Sequence, residues 1–186
     1  MPDRHRLFGV LAALAFGACY VTVLLGGNVM ASGSGLACPS WPTCFGTQVV
    51  PPVTGAAGVE SMHRVGALGL SLLVLALTVT AILWERRRPA LLRLSIACGV
   101  TVVLQAVLGA IVVETGLAVG VVLLHFAVAT VLFLLLLVLV LIANLRYLPR
   151  RWTRWALEAG EERPEERLAR APEFRSRLPL PQPAES

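Results

Sequence analysis

The stretch VGVVLLHFAVATVLFLLLLVLVLIANL, residues 119–145, is almost wholly apolar and contains a single ionisable residue, His125. A helix of this length can cross a bilayer, since about 20 apolar residues span about 30 Å of hydrocarbon. Three more windows meet the same criterion, approximately Leu7–Asn28, Val65–Trp84 and Leu91–Val113. With 56% apolar residues and a mean hydropathy of +0.76, the chain is predicted to be an all-α polytopic membrane protein with a four-helix bundle.

The placement of arginine predicts the orientation of these helices. All sixteen basic residues are arginine, and all except Arg64 precede the first window, lie at the turn between the second and third, or follow the fourth. The long loop after the first window holds no arginine before Arg64, and the turn after the third window holds none. The positive-inside rule therefore places both termini in the cytoplasm and the 29–60 loop outside a cell membrane. The net charge of +5 reports this topology and contact with anionic lipid headgroups, and it does not indicate nucleic-acid binding.

The chain divides at about residue 148. Residues 1–148 are expected to form the transmembrane domain, and the first window is expected to be a retained helix, because it lacks a short apolar core ending in an Ala-x-Ala cleavage site. Residues 149–186 mix Glu, Arg and Pro with little apolar periodicity. This composition predicts a mostly disordered cytoplasmic tail.

Two of the four cysteines, Cys38 and Cys44, lie close together in the predicted outer loop. The compartment outside a bacterial or archaeal membrane is oxidising, which favours a disulfide between them. A metal clip would need further ligands, and the loop offers only Glu60 at its wet end. The disulfide could act as a structural staple or as a redox couple. Cys19 and Cys98 fall inside helices and are expected to be buried, inert residues.

Two histidines lie in the predicted helices, where an ionisable group is costly and indicates function. His63 falls in the opening turn of the second helix and His125 about two turns into the fourth, so the two lie within one or two turns of the same depth. One membrane histidine is equally well explained by a hydrogen bond to a neighbouring backbone or hydroxyl group. Two at matched depth on alternate helices favour ligation of a haem iron across the bundle. A bare metal ion would need a third or fourth ligand.

Other polar residues accompany the histidines. Glu60 precedes His63 by three residues and shares its helical face if the second helix begins by residue 59 or 60. Arg64 follows His63 directly, at interface height. Glu114, at the outer end of the third helix, is more simply a solvated carboxylate, and Gln105 is expected to form a hydrogen bond between helices.

An internal repeat supports the pairing of the histidines. LGGNVMASGSGLA, residues 25–37, aligns with LGAIVVETGLA, residues 108–118, after a two-residue gap. Each copy is followed by a helix with a histidine near its outer end, in MHRVGAL and in LHFAVAT. Two parallel helix-hairpin copies, related by an axis along the membrane normal, would point His63 and His125 at that axis.

The segment SGSGLACPSWPTC, followed by ESMHRVGALG, resembles the first half of the heme A synthase family. Members of that family carry a Gly-Ser-Gly-Leu turn, an outer-loop cysteine pair flanking Trp-Pro, and a Glu-x-x-His-Arg run that opens the second helix. The resemblance covers all four helices and leaves out the tail. It implies a membrane oxidoreductase that converts the C8 methyl of heme O to the formyl group of heme A for terminal oxidase assembly.

The resemblance also implies a set of site residues. His63 and His125 resemble the axial ligand pair of the haem iron, and Glu60 resembles the catalytic carboxylate beside the reacting methyl. The cysteine pair resembles the disulfide of the family. Arg64 matches the arginine of the motif, and its charge and depth suggest a contact to a haem propionate. A carboxylate at position 60 can take a proton or stabilise positive charge that develops at the reacting carbon.

The chain departs from the family pattern in its length. Members have eight helices in two halves, one for the haem substrate and one for a haem b cofactor, and this chain resembles the substrate half. One haem, whether heme b or heme O, cannot serve as both substrate and cofactor, so we expect a homo-oligomer in which haems of different protomers exchange electrons. Heme O, the lipid bilayer, heme O synthase and terminal oxidase subunits are the other expected partners.

Two other classes of protein remain open. A b-type haem protein without synthase activity, or a haem-carrying oxidase assembly factor, would use the same histidines but leaves Glu60 and the cysteine pair unexplained. A quinone-linked thiol oxidase normally carries Cys-x-x-Cys at a helix N-terminus and a second outer pair, and it would leave both membrane histidines idle. The sequence favours the synthase.

Overall fold

The structure is a computed structural model, and it describes residues 2–46 and 50–144. These residues form four helices and no strand: α1 (Pro2–Ala31), α2 (Gly55–Trp84), α3 (Pro89–Glu114) and α4 (Val119–Asn144). Each helix is long and apolar enough to cross a membrane. The predicted all-α, polytopic four-helix architecture is therefore confirmed. The predicted disordered tail, 149–186, lies outside the described residues.

The helices pack around the bundle in chain order. α1 contacts α2 and α4, and α3 contacts the same two helices, whereas in the described part of the chain the diagonal pairs do not approach each other closely. At each of the four contacts a glycine on one helix lies against a side chain of the other: Gly9 against Asn144, Gly26 against His63, Gly99 against Thr78, and Gly109 against His125. Small residues allow such close approach between membrane helices. As a result, α2 and α4 face each other across the interior.

Buried apolar side chains concentrate at one end of the bundle. We call the end that carries the 32–54 loop the loop end and the opposite end the far end. The core cluster is built from the N-terminal parts of α1 and α3 and the C-terminal parts of α2 and α4, so it lies toward the far end. Its largest fully buried members are Phe8, Leu77, Leu91, Leu132, Leu136 and Leu139. Toward the loop end, the buried apolar side chains of the described helices are Val29 and Leu108.

The start of α2 differs from the sequence prediction. α2 begins at Gly55, ten residues before the apolar window that starts at Val65, so the connecting loop runs over 32–54 rather than 29–60. Hydropathy marks the part of a helix that lipid can cover, and polar residues between Glu60 and Arg64 interrupt that signal without interrupting the helix. The other three helices lie within five residues of their predicted bounds.

The loop lies across the loop end of the bundle and reaches the turn between α3 and α4. In that turn Gly116 and Leu117 both adopt left-handed backbone conformations, with φ of 60° and 63°. The Leu117 side chain contacts Gly35 of the loop, where an added Cβ would lie 3.1 Å from both Leu117 methyl carbons. The loop from α1 to α2 therefore also touches the second helix hairpin.

Candidate functional site

His63 and His125 lie on diagonal helices, at similar distances from the loop end. His63 is eight residues past the start of α2 and His125 six residues past the start of α4. At about 1.5 Å per residue these positions are about 12 and 9 Å along their helices. The prediction that His63 lies in the opening turn is wrong, because α2 starts earlier than its apolar window. With the earlier start, His63 lies about two turns into α2, as His125 does in α4.

The His63 ring is oriented by α1. Its Nδ1 lies 3.2 Å from the carbonyl oxygen of Thr22. Gly26 allows this approach, because a Cβ at that position would lie 3.0 Å from His63 Cε1. When Nδ1 donates its proton to a carbonyl, the lone pair of Nε2 is free, and this is the arrangement in which histidines commonly bind metals.

The His125 ring has a different environment. Its Nδ1 is buried and has no hydrogen-bond partner among the described residues. α3 approaches the ring at Gly109, where an added Cβ would lie 3.7 Å from His125 Cε1. One turn earlier on α3, Gln105 Oε1 is also buried and has no partner in the described ranges. Unpartnered buried polar atoms are costly, so this side of the bundle is suited to a bound group that contacts them.

Glu60 and Arg64 form one buried network with the cysteine loop. Glu60 is 3% exposed, so it is buried in the second turn of α2 and does not stand at the wet end of a loop as predicted. Its Oε2 accepts a hydrogen bond of 2.8 Å from the Cys38 N–H, and its Oε1 pairs with Arg64. Arg64 also donates to three loop carbonyls, those of Cys38 at 2.8 Å, Thr43 at 3.1 Å, and Ser40. The propionate contact suggested for Arg64 stays a prediction.

The disulfide between Cys38 and Cys44 is present, as expected. Both cysteines are buried, and the ring that they close contains a cis peptide bond before Pro42. Cys19 and Cys98 are free and buried in the core, also as expected. The cysteine pair therefore closes the segment that Glu60 and Arg64 bind.

A second buried carboxylate lies at the far end. Glu85 is 0% exposed, its Oε1 lies 2.5 Å from His5 Nδ1, and its Oε2 lies 3.6 Å from Arg88 Nη1. No sequence pattern connects His5 with Glu85, because they are 80 residues apart. The one local signal is a lone carboxylate directly before an arginine run at a helix end. Glu114, by contrast, is exposed, as expected.

The donor set fits a haem better than a bare metal ion. In the described part of the chain, no group of three or more His, Cys, Asp or Glu side chains is placed to hold a metal. A haem iron needs only two ligands from protein, one on each face of the macrocycle. His63 and His125 come from diagonal helices, and the bundle around them carries Gly26 and Gly109 in place of larger side chains. The residues present therefore fit a haem.

Comparison with known proteins agrees with the motifs. The family described as "Cytochrome oxidase assembly protein" matches residues 9–159. A heme A synthase of Halalkalibacterium halodurans is 34% identical over 139 residues, which cover 73% of this chain and 44% of the relative. A heme A synthase of Bacillus pumilus is 35% identical over 147 residues, with 76% and 46% covered, and one of Symbiobacterium thermophilum is 42% identical over 62 residues, with 33% and 20% covered.

The chain spans less than half the length of these curated relatives. The matched region, which begins at residue 9 inside α1, nevertheless contains the other three helices in full, the cysteine loop and both membrane histidines. On these grounds the chain is a multi-pass membrane protein that belongs to the cytochrome oxidase assembly protein family, the family of the heme A synthases.

Proposed function

We propose that the chain acts in heme A synthesis as a membrane oxidoreductase that converts the C8 methyl of heme O to a formyl group for terminal oxidase assembly, a four-electron oxidation that adds one oxygen atom and needs an external electron acceptor. One observation carries the proposal: two histidines at similar depth on diagonal helices, with a buried carboxylate one turn before the first of them. The names of the matching relatives support the substrate class.

His63 and His125 are the residues that we propose would bind the haem iron. The Thr22 carbonyl supports this role for His63, because a hydrogen bond to Nδ1 orients the ring and leaves Nε2 available. For His125 the support is different: its buried Nδ1 has no partner among the described residues, so the ring has a nitrogen that is free to bind a group in the bundle. The bound haem, heme O as substrate or heme b, supplies the iron and its redox chemistry. The two histidines would hold and orient it near the loop end, away from the large apolar side chains of the core.

Glu60 is the proposed catalytic carboxylate. It lies one helical turn before His63 on the same face of α2, so it is placed beside the group that His63 binds. Its carboxylate is held in a fixed position by Arg64 and the Cys38 N–H. In this position Glu60 can take a proton from the reacting carbon or stabilise positive charge there. The cysteine loop, which lies across the loop end, would keep water away from that charge.

The arrangement of the two hairpins supports the predicted repeat. Gly26 of α1 faces His63 of α2, and Gly109 of α3 faces His125 of α4. We propose that an axis along the membrane normal relates the hairpins, with both termini in the cytoplasm and the cysteine loop outside, as the arginine distribution predicts. Each copy of the chain offers one pair of membrane histidines, His63 and His125, and we propose that a second haem for electron transfer binds to the pair of another copy.

The remaining proposed partners follow from the reaction. Heme O synthase would deliver the substrate, and terminal oxidase subunits would receive heme A. The chain meets the lipid bilayer along the four helices, whose outer surfaces carry exposed apolar side chains.

A direct test is to co-express the chain with a supply of heme O, extract the haems and separate them by chromatography. His63→Ala and His125→Ala should lose bound haem, whereas Glu60→Gln should retain haem and form no heme A. Glu114→Gln is the matched control, because it removes an exposed carboxylate at the same end of the bundle. Heme A formation that is unaffected in His63→Ala and Glu60→Gln would refute the assigned site.

A second candidate function is a b-type haem protein or a haem-carrying assembly factor. One observation favours it: both oxygens of Glu60 are already engaged, which suits a structural carboxylate. A wild-type chain that retains haem but never forms heme A in the same experiment would support this candidate. A thiol oxidase is not supported, because the Cys38–Cys44 disulfide lies in a loop and not at a helix N-terminus.

A further inference from the structure

We infer that Arg64 is a positioning residue, which fastens the disulfide-closed loop onto the first turns of α2 and thereby fixes the Glu60 carboxylate. The inference rests on the proposed function, in which Glu60 is the reacting carboxylate. It gives Arg64 a role that differs from the haem propionate contact suggested by the motif.

The Arg64 guanidinium binds four acceptors. Arginine presents its N–H donors in a rigid planar fork, so it can bind several acceptors at once. Nη2 donates to the Cys38 carbonyl at 2.8 Å and to Glu60, while Nη1 donates to Thr43 at 3.1 Å and to Ser40. All three carbonyls belong to the ring that the disulfide closes. Arg64 therefore holds this ring near both of its ends.

The backbone of Cys38 connects the Arg64 guanidinium to Glu60. The Cys38 carbonyl accepts a hydrogen bond from Arg64, while the Cys38 N–H donates to Glu60 at 2.8 Å. Each Glu60 oxygen thus has one partner, a backbone N–H of the loop on Oε2 and the guanidinium on Oε1. Loss of the guanidinium would release Oε1 directly, and it would also loosen the Cys38 backbone that holds Oε2. The carboxylate would then be free to turn away from the His63 face.

The second hairpin provides an internal comparison. In the alignment of MHRVGAL with LHFAVAT, the position of Arg64 is occupied by Phe126, and that of Glu60 by Val122. The histidine is present in both hairpins, whereas the carboxylate and the arginine occur where the long loop occurs. The second hairpin has a short turn, 115–118, in place of a loop. The Glu60–Arg64 pair is therefore associated with the loop rather than with the histidine.

The two roles of Arg64 predict different phenotypes. A propionate contact acts on haem affinity and leaves the loop unchanged. A positioning role acts on the loop and on Glu60, and leaves the histidine ligands in place. The side chain is 15% exposed and its fork already binds four acceptors, which favours the positioning role.

The test compares Arg64→Gln and Arg64→Lys with the wild-type chain, each purified in detergent. Arg93→Gln is the matched control, because Arg93 is an exposed arginine on α3 that bonds to Pro89 of its own helix. The first measurement is the rate at which a water-soluble phosphine reduces the Cys38–Cys44 disulfide, followed by thiol labelling and gel shift. Since charge-assisted hydrogen bonds protect the loop, Arg64→Gln should speed reduction roughly tenfold or more. Arg64→Lys should give an intermediate rate, and Arg93→Gln the wild-type rate.

The second measurement is haem content and heme A yield during co-expression with heme O. Arg64→Gln should keep the haem content and absorbance spectrum of the wild type but lose most of its heme A yield, and Arg64→Lys should restore part of that yield. An unchanged reduction rate in Arg64→Gln would overturn the inference, and so would loss of haem with a fully protected disulfide. If Arg64→Gln does not accumulate, a wild-type reduction rate in Arg64→Lys would overturn it.

The reduction rate is measured without any haem, so it does not depend on the proposed function. His63→Ala and His125→Ala test haem ligation separately. Failure of the Arg64 inference can therefore be distinguished from failure of the haem site.

Discussion

Gly26→Ala is expected to weaken haem binding, because the added methyl group displaces His63 from α1. A Cβ at position 26 would lie 3.0 Å from His63 Cε1 and 3.4 Å from Nδ1. Carbon atoms pack at about 3.5–4.0 Å, so the ring must withdraw by roughly 0.5 Å or more. α1 cannot move away easily, since it also packs against α4 along the bundle.

The displacement acts on the hydrogen bond between His63 and Thr22. That bond is 3.2 Å long, at the upper end of the usual range for nitrogen and oxygen. Withdrawal by roughly 0.5 Å would lengthen it to about 3.7 Å, where it no longer counts as a hydrogen bond. Loss of such an outer partner of a ligating histidine typically lowers metal affinity about 10- to 100-fold. We therefore expect haem affinity to fall by roughly tenfold.

Gly27→Ala is the matched control, because an added Cβ at the next position meets no atom within 4 Å. Both variants gain the same methyl group and the same helix propensity, about 1 kcal/mol, so they differ in the contact with His63. The assay is titration of the haem-free protein in detergent, followed by the absorbance of the histidine-ligated haem. Equal haem affinities for Gly26→Ala and Gly27→Ala would refute the reasoning.

Three further predictions concern the Gly109 contact with His125, the His5–Glu85 pair and the disulfide. Gly109→Ala should leave haem affinity within about threefold of wild type, because its Cβ would lie at 3.7 Å from His125 Cε1, an ordinary van der Waals distance; a tenfold loss in the same titration would contradict this. His5→Ala should lower the free energy of unfolding in detergent by about 1–3 kcal/mol, because it removes the close partner of the buried Glu85, whereas Glu114→Ala should change it by no more than about 0.5 kcal/mol. Equal effects of these two variants would show that the His5 contact does not stabilise the bundle. Replacing both disulfide cysteines by serine should preserve haem content and lower heme A yield. An unchanged yield would show that the disulfide has at most a structural role.

The fold could be predicted to a large extent because lipid imposes a simple requirement. A helix that crosses the hydrocarbon must be apolar over about 20 residues, and four windows of the sequence meet that condition. The prediction was wrong at the start of α2, where the polar run from Glu60 to Arg64 continues the helix beyond its apolar window. Glu60, His63 and Arg64 in that run have their partners in the loop and in α1, and hydropathy carries no information about such partners.

In the candidate site, too, the residues themselves could be predicted from the sequence, whereas their hydrogen-bond partners could not. His63, His125, Glu60 and Arg64 stand out in the sequence because ionisable residues are rare in apolar helices. Their partners do not stand out. The backbone oxygens of Thr22 and of the cysteine loop are available at every position of a chain, so no residue type marks them. The histidine at the far end, His5, is likewise paired across 80 residues.

The sequence by itself determined the four helices, the identity of the ionisable residues among them, and the cysteines that could form a bridge. These properties depend on local composition and spacing, which lipid and an oxidising compartment act on directly. The tertiary structure alone decided that α2 and α4 are diagonal, that Glu60 is buried, and that Arg64 binds the loop that the disulfide closes. Those outcomes depend on which backbone groups the packed helices bring within hydrogen-bond distance, and that distance is a property of the packed bundle rather than of any segment.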